Sequence, residues 1–141
     1  MLPERDFIGY GPTPPNPNWP GGARLAINFV VNIEEGSEAS FNDGDEYTES
    51  SLTELGLQKS EVSKRDLGAE SMFEYGGRVG VWRVFHTFSE YKVPLTIYGC
   101  ALALERNPLI AEEIKLRNYD VCGHGWRWEK HFELDKAVER E

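Results

Sequence analysis

Three ionisable side chains occur where a hydrolytic site could form. Glu34 and Glu35 follow directly after the apolar segment RLAINFVVNI, and His124 follows the shorter segment YDVCG. A carboxylate and an imidazole that converge on one site can divide the roles of base and acid in a hydrolysis. These residues are therefore candidate catalytic groups. The alternative is that the glutamates are solvated and that His124 only caps a strand.

The stretch GHGWRWEKH, residues 123–131, has the spacing of half a metal site. A second ligand one helical turn after His124 would fall at position 128, which is Trp. His131 lies seven residues after His124 and could act as a displaced ligand, although only one spacing supports this. Arg127 could orient an anionic or amide substrate, or it could be a surface charge. His86 lies between Phe85 and Phe88, and we predict a structural or surface role for it.

A strand is predicted over residues 24–34, RLAINFVVNIE, because large apolar residues alternate with smaller or polar ones. The large apolar residues are Leu25, Ile27, Phe29, Val31 and Ile33. The other face carries Asn28, Asn32 and Glu34, which suits a polar cavity. Asn32 is therefore a candidate substrate-binding residue beside Glu34.

The apolar spacing changes to three and four residues from Gly77, which predicts an amphipathic helix that ends near Lys92. VPLTIYG is a second strand, Asn107 and Pro108 begin a helix that runs to about Arg117, and YDVCG is a third strand. This alternation predicts an α/β fold with parallel strands. Because parallel strands gather functional groups at their carboxyl ends, the two glutamates and the histidine should share one site.

Three further segments carry weaker signals. Residues 1–23 form an extended leader rich in Pro and Gly, which we expect to wrap a surface through Phe7, Tyr10 and Trp19. Residues 35–76 are acidic and should be irregular. The tract FNDGDEYTES suggests a calcium-binding loop but lacks the Gly and terminal Glu positions of an EF-hand loop. A solvated loop is therefore favoured there. ELDKAVERE begins a helical pattern. Residues 24–141 are expected to be the N-terminal part of a larger domain.

Composition and net charge limit the kinds of partner that this protein can bind. The formal net charge of −9 argues against nucleic acid and anionic membranes as partners. No apolar run approaches 18 residues and the N-terminus lacks a signal-peptide pattern, so we expect a cytoplasmic protein. Cys100 and Cys122 form no disulfide framework and are expected to be free thiols.

The order of these pieces resembles the polysaccharide deacetylase superfamily, whose domain is a distorted (β/α) barrel. The resemblance rests on VWRVFHTFSEYKVPLTIYG and ERNPLIAEEIKLRNYDVCGHGWRW, and it covers residues 24–34 and 77–135. In the family an acid pair follows strand one and two histidines follow strand three. Here the acid pair matches Glu34 and Glu35, as base and metal-ligand positions, and the first histidine matches His124. The second matches Trp128, which cannot bind a metal ion.

RDFIGYGPTPPNPNWPGGARLAINFVVNIEEGSE, EYGGRVGVWR and GHGWRW are similar to the cofactor-independent allantoinase branch of that superfamily. The resemblance implies hydrolysis of the cyclic amide of allantoin, with no cofactor and no metal. One glutamate would activate water, His124 would donate a hydrogen bond or proton, and Asn32, Arg127 and Trp128 would contact the substrate. Trp128 would fill the space that the metal and its histidine occupy in relatives.

Two alternatives remain open. A metal-dependent N-deacetylase of chitin or related N-acetyl sugars would need His131, or a residue beyond position 141, to replace the missing ligand. A non-catalytic binding module is the other, because half a barrel exposes unpaired strand edges. The expected substrate is a small-molecule amide. The expected protein partner is the remainder of the barrel or another copy of the chain, and we expect a homo-oligomer.

Overall fold

Three short parallel strands form one sheet in the computed structural model, which describes residues 4–51, 53–54 and 65–140. The strands are β1 (Val30–Ile33), β2 (Thr96–Gly99) and β3 (Asp120–Gly123), and their order in the sheet is β1-β2-β3. The register aligns Ile33 with Gly99 and Gly99 with Gly123. All three strands therefore end at one level, which confirms the predicted parallel α/β arrangement.

Four α-helices occur within the described ranges, and they are α1 (Leu67–Tyr75), α2 (Val81–Glu90), α3 (Ala101–Arg106) and α4 (Pro108–Leu116). A π-helical segment, Gly76–Gly80, joins α1 directly to α2. Short 3₁₀ turns cover Pro20–Gly22, Phe41–Asp43, His131–Glu133 and Val138–Arg140. None of the described helices has the length and apolar character needed to cross a membrane.

The core lies between the helices and one face of the sheet. Its buried members are Ile33, Val81, Phe85, Leu95, Ile97, Cys100, Ala103, Ile110 and Ile114. The opposite face of the sheet carries Asn32, Tyr98 and Cys122, which are exposed or half-buried. The predicted division of the first strand into a covered apolar face and a polar face is therefore confirmed for its last residues.

Two helix boundaries confirm the sequence prediction. The N-cap of α4 is Asn107, whose Oδ1 accepts a hydrogen bond from the amide of Ile110, and Pro108 occupies the first turn. Helix α2 ends where Lys92 adopts a positive φ of 55° and the amide of Val93 bonds to the carbonyl of Phe88. This 6→1 bond around a left-handed residue is the usual helix stop.

The first strand is shorter than the prediction of residues 24–34. Only Val30–Ile33 enters the ladder, and Leu25 and Ile27 are 70% and 68% exposed. Strand β2 begins at Thr96, just after Pro94, so among the described residues no neighbouring strand extends far enough to pair with the preceding part. Alternation predicts which residues share a face, but the length of a strand depends on its neighbour.

Two helices are absent from the prediction. The segment 35–76, predicted as irregular, contains α1, whose N-cap Asp66 accepts a hydrogen bond from the amide of Ala69. Helix α3 follows β2 immediately, before the predicted helix at Asn107. Helix α1 has little amphipathic pattern, and α3 is only six residues long, so neither has a strong periodic signal. Asp66, a residue type that commonly caps helices, is the sequence feature that could have indicated the start of α1.

The two ends of the chain also differ from expectation. Phe7 and Tyr10, expected to anchor the leader, are exposed, and Trp19 is only partly covered. The helical pattern of ELDKAVERE forms only the short 3₁₀ turn Val138–Arg140 in the described residues. The described residues therefore do not cover the aromatic side chains of the leader, and no α-helix forms over the described part of ELDKAVERE. Parts of the acidic segment, residues 52 and 55–64, lie outside the described residues.

Candidate functional site

The centre of the candidate site is a direct contact between Glu34 and His124. The Oε1 atom of Glu34 lies 2.6 Å from Nε2 of His124, and Nδ2 of Asn32 donates to the same carboxylate oxygen over 3.2 Å. Glu34 follows β1 and His124 follows β3, so their backbones are two strand spacings, roughly 10 Å, apart. The two side chains therefore meet above the end of β2, the middle strand.

Strand β2 and Cys100, the residue after it, hold the backbone and ring of His124 in place. Its amide donates to the carbonyl of Gly99 over 3.0 Å, which extends the ladder by one residue. Its own carbonyl accepts a hydrogen bond from the thiol of Cys100 over 3.2 Å, and its ring lies 5.9 Å from the ring of Tyr98. With Nε2 directed at Glu34, Nδ1 is the nitrogen left for other partners.

Glu35 occupies a different position from its neighbour and lies beside the π-helical segment. Its Oε2 accepts a hydrogen bond from the amide of Glu34 over 3.2 Å, and its carboxyl group lies against Gly76 of the π-helical segment. Burial raises the pKa of the Glu35 carboxyl, and hydrogen bonds from the backbone oppose this only in part. The negative charges of Glu34 and Glu38 raise the pKa further. Two adjacent carboxylates therefore have different environments.

Two arginines hold the loop that follows Glu35. Arg106 forms a bidentate ion pair with Asp43, and Arg127 pairs with Asp45 and also donates to the carbonyl of Glu38 over 2.9 Å. The hydrogen bonds from Arg106 and Arg127 lower the pKa values of Asp43 and Asp45 respectively. The acidic tract is thus tied to arginines, which differs from both the calcium loop and the solvated loop considered above.

Trp128 also packs on this loop. Its ring lies edge-to-face with Phe73 of α1 at 6.4 Å between centroids, and its amide donates to the carbonyl of Ser37 over 3.1 Å. Asn32 thus contacts Glu34 directly, whereas Trp128 and Arg127 contact the loop that follows Glu35. Substrate contact by these three residues stays a prediction.

The exposed position of His86 confirms its prediction as a surface residue, and both cysteines are free. Tyr98 and Cys100 are site residues that the sequence prediction omitted. Tyr98 pairs in register with Asn32 on the polar face of the sheet, so the alternation in TIYG could have revealed it. Cys100 had no comparable signal.

Known proteins share this arrangement of strands and loops. The chain superimposes on PuuE allantoinase with a TM-score of 0.87 and 40% identity, covering 99% of this chain and 46% of that one. It superimposes on a Pseudomonas aeruginosa PAO1 protein, named as a probable polysaccharide deacetylase, with a TM-score of 0.86 and 42% identity, covering 96% and 45%. The chain is similar, over nearly all of its length, to part of the polysaccharide deacetylase superfamily. The fold is therefore part of the domain found in that superfamily.

A curated superfamily relative extends the comparison to a eukaryote. A Schizosaccharomyces pombe protein, whose name assigns it to the polysaccharide deacetylases, is 38% identical over 130 residues, covering 91% of this chain and 41% of its own length. No family model matches the chain. The chain thus spans less than half the length of each of these three relatives.

The described residues do not fit the metal site expected of metal-dependent superfamily members. No group of three or more His, Cys, Asp or Glu side chains within the described ranges could hold an ion. Two ligands of one tetrahedral zinc ion, each about 2.0–2.1 Å from the metal, would be separated by roughly 3.3 Å. Glu34 and His124 are closer than this, in a hydrogen bond. His131 packs against Gly125, and position 128, which the family resemblance assigns to a second histidine, is Trp.

Proposed function

We propose that this protein is a hydrolase of non-peptide amide bonds that opens the ring of allantoin without a metal ion. The observation that carries the proposal is the 2.6 Å contact between Glu34 and His124 at the carboxyl ends of parallel strands. The similarity to PuuE allantoinase, at 40% identity, supports allantoin as the substrate. The relatives are hydrolases of one family, and the activity assigned here is that of the whole protein.

The two glutamates suit different roles in this reaction. Burial raises the pKa of the Glu35 carboxyl, which makes it a stronger base and favours Glu35 as the group that takes a proton from the attacking water. Glu34 then holds His124 through Nε2. When the imidazole is protonated, its Nδ1–H can donate to the amide nitrogen as the ring C–N bond breaks.

The proton transfers balance within this set of residues. Water loses one proton to Glu35 and its oxygen bonds to the carbonyl carbon, while the leaving nitrogen gains one proton from His124. Exchange with solvent then restores both groups. The oxyanion formed at the carbonyl oxygen needs hydrogen-bond donors. Arg127 would have to leave Asp45 to serve, so backbone amides of the strand-end loops are better candidates.

A second candidate function is N-deacetylation of an N-acetyl sugar by a metal-dependent enzyme. The names of the Schizosaccharomyces pombe and Pseudomonas aeruginosa relatives favour this reaction. It would require ligands beyond the pair Glu34 and His124, and Trp128 occupies the position where the family places one.

The test is hydrolysis of allantoin and of N-acetylglucosamine oligomers by the purified full-length protein, with a strong chelator and with added zinc. We expect turnover of allantoin that is unchanged by the chelator. Turnover of the sugar alone, dependent on zinc, would overturn the proposal in favour of the deacetylase. Absence of turnover with both substrates in all conditions would also overturn it and would favour a non-catalytic module.

A further inference from the structure

The π-helical segment between α1 and α2 makes close contact with Glu35. A Cβ atom placed on Gly76 would lie 2.9 Å from Cδ and 3.0 Å from Cγ of Glu35, and closer still to Oε1. A Cβ atom on Gly77 would lie 3.5 Å from Cβ of Glu35. The absence of a side chain at position 76 therefore provides the space that the Glu35 carboxylate occupies.

Backbone conformation does not explain the glycine at position 76. Gly76 has φ −54° and ψ −55°, a right-handed helical conformation that any residue adopts. In a helix, glycine is less favourable than alanine because its unfolded state has more conformational entropy. The remaining role for Gly76 in the structure is the close approach of Glu35.

Asn107 anchors the same segment from the other side. In the π-helical turn the amide of Val81 bonds to the carbonyl of Gly76, five residues back. The Nδ2 atom of Asn107 donates to the carbonyl of Gly77 over 3.2 Å, while its Oδ1 caps α4 through the amide of Ile110. One side chain therefore ties the segment beside Glu35 to the start of α4. π-Helical turns often occur at functional sites.

We propose that Gly76, in the π-helical turn that Asn107 anchors, positions the Glu35 carboxylate for the reaction. The predicted effects on kcat rest on the proposed function, but the predicted position of the Glu35 side chain does not. Gly76 and Asn107 are positioning residues because they act through Glu35. Oε2 of Glu35 in turn accepts the hydrogen bond from the amide of Glu34, the residue that contacts His124.

The test compares Gly76→Ala with Gly80→Ala. Gly80 lies in the same segment and is also helical, but a Cβ atom there would meet its nearest neighbour at 3.6 Å, an ordinary contact. We expect Gly76→Ala to displace the Glu35 carboxylate, to shift the NMR resonance of the Glu34 amide and to lower kcat by about tenfold or more at similar KM. Gly80→Ala should leave the amide resonance and kcat unchanged.

Truncating Glu35 should relieve the collision. Because the atoms of Glu35 that a Cβ on Gly76 would meet are Cγ, Cδ and Oε1, Gly76→Ala combined with Glu35→Ala should lower the free energy of unfolding no further than Glu35→Ala alone. Additive losses in the free energy of unfolding would overturn the proposal, because they would show that the alanine acts elsewhere. An unchanged Glu34 amide resonance in Gly76→Ala would overturn it as well.

Asn107→Asp separates anchoring from capping. The aspartate keeps a capping oxygen for Ile110 but loses the donor to the carbonyl of Gly77. We expect it to shift the Glu34 amide resonance in the direction of Gly76→Ala, and an unshifted resonance would contradict the anchoring role. If the wild-type protein does not hydrolyse allantoin, the proposed function fails, and the amide resonance still decides whether this segment places Glu35.

Discussion

Glu34 and His124 lie 90 positions apart in the sequence, and their side chains meet in a 2.6 Å contact across the ends of three parallel strands. Their positions after β1 and β3 bring them to the same edge of the sheet, and the ring of Tyr98 in β2 lies 5.9 Å from the imidazole ring. The contact makes Glu34 the positioning partner of His124. Glu35 is left as a separate acid that lies against Gly76.

His124→Ala should lower kcat for allantoin by about 10²–10⁴-fold, because a positioned acid or base contributes on that order. Glu34→Gln should also lower kcat, since the amide no longer stabilises a protonated imidazole. The measurement is steady-state hydrolysis over a range of pH. The matched control is His86→Ala, because His86 is an exposed histidine on α2. Near wild-type kcat in His124→Ala would contradict the role given to this residue.

Glu35→Gln should change how stability depends on pH. Because burial raises the folded-state pKa of Glu35, its contribution to stability is fully present below the unfolded value of 4.5 and is lost as pH rises through the folded pKa. The free energy of unfolding of Glu35→Gln, relative to wild type, should therefore increase as pH rises above 4.5. Denaturant unfolding at a series of pH values measures it. A difference that stays constant over this range would show that Glu35 is not buried as described.

The partly buried ion pair between Arg127 and Asp45 should stabilise the folded protein. Asp45→Asn should reduce the free energy of unfolding by about 1–2 kcal/mol at neutral pH, as expected for charged hydrogen bonds. Because the pair lowers the pKa of Asp45, the stabilisation is present above the unfolded pKa and is lost as pH falls through the folded pKa. Denaturant unfolding of the wild type and of Asp45→Asn at neutral and at acid pH would measure both effects.

A charge exchange provides the control for this pair. The double variant Asp45→Arg with Arg127→Asp should recover part of the stability that either single variant loses. If the double variant were as unstable as the sum of both single variants, the two residues would not be coupled. Arg127→Asp that retained full stability but raised KM would favour the earlier prediction of a substrate-binding arginine.

Phe85→Ala should lower the free energy of unfolding by about 3–5 kcal/mol, because Phe85 is 1% exposed and its removal leaves a cavity. Phe132→Ala is the matched control, since Phe132 is 84% exposed. Urea unfolding followed by tryptophan fluorescence measures both. A small effect at Phe85 would mean that the core rearranges to fill the space.

The sequence was sufficient to predict the parallel α/β class, the helix cap at Asn107, and the placement of Glu34, Glu35 and His124 at strand ends. These features depend on local periodicity, on capping chemistry and on the topology of parallel strands, all of which are local or general. The same local signals could not define the length of β1, because its first paired residue depends on where β2 begins. They also gave no strong sign of the short helix α3.

Only the tertiary structure determined the different environments of the two glutamates. The two glutamate side chains are chemically identical in the sequence, and their environments differ only through the groups that pack against each of them in the fold. Glu34 contacts His124 from the far strand, and Glu35 contacts Gly76 from a helix junction. Both partners are distant along the chain, so the roles of the two acids depend on how the sheet and helices pack together.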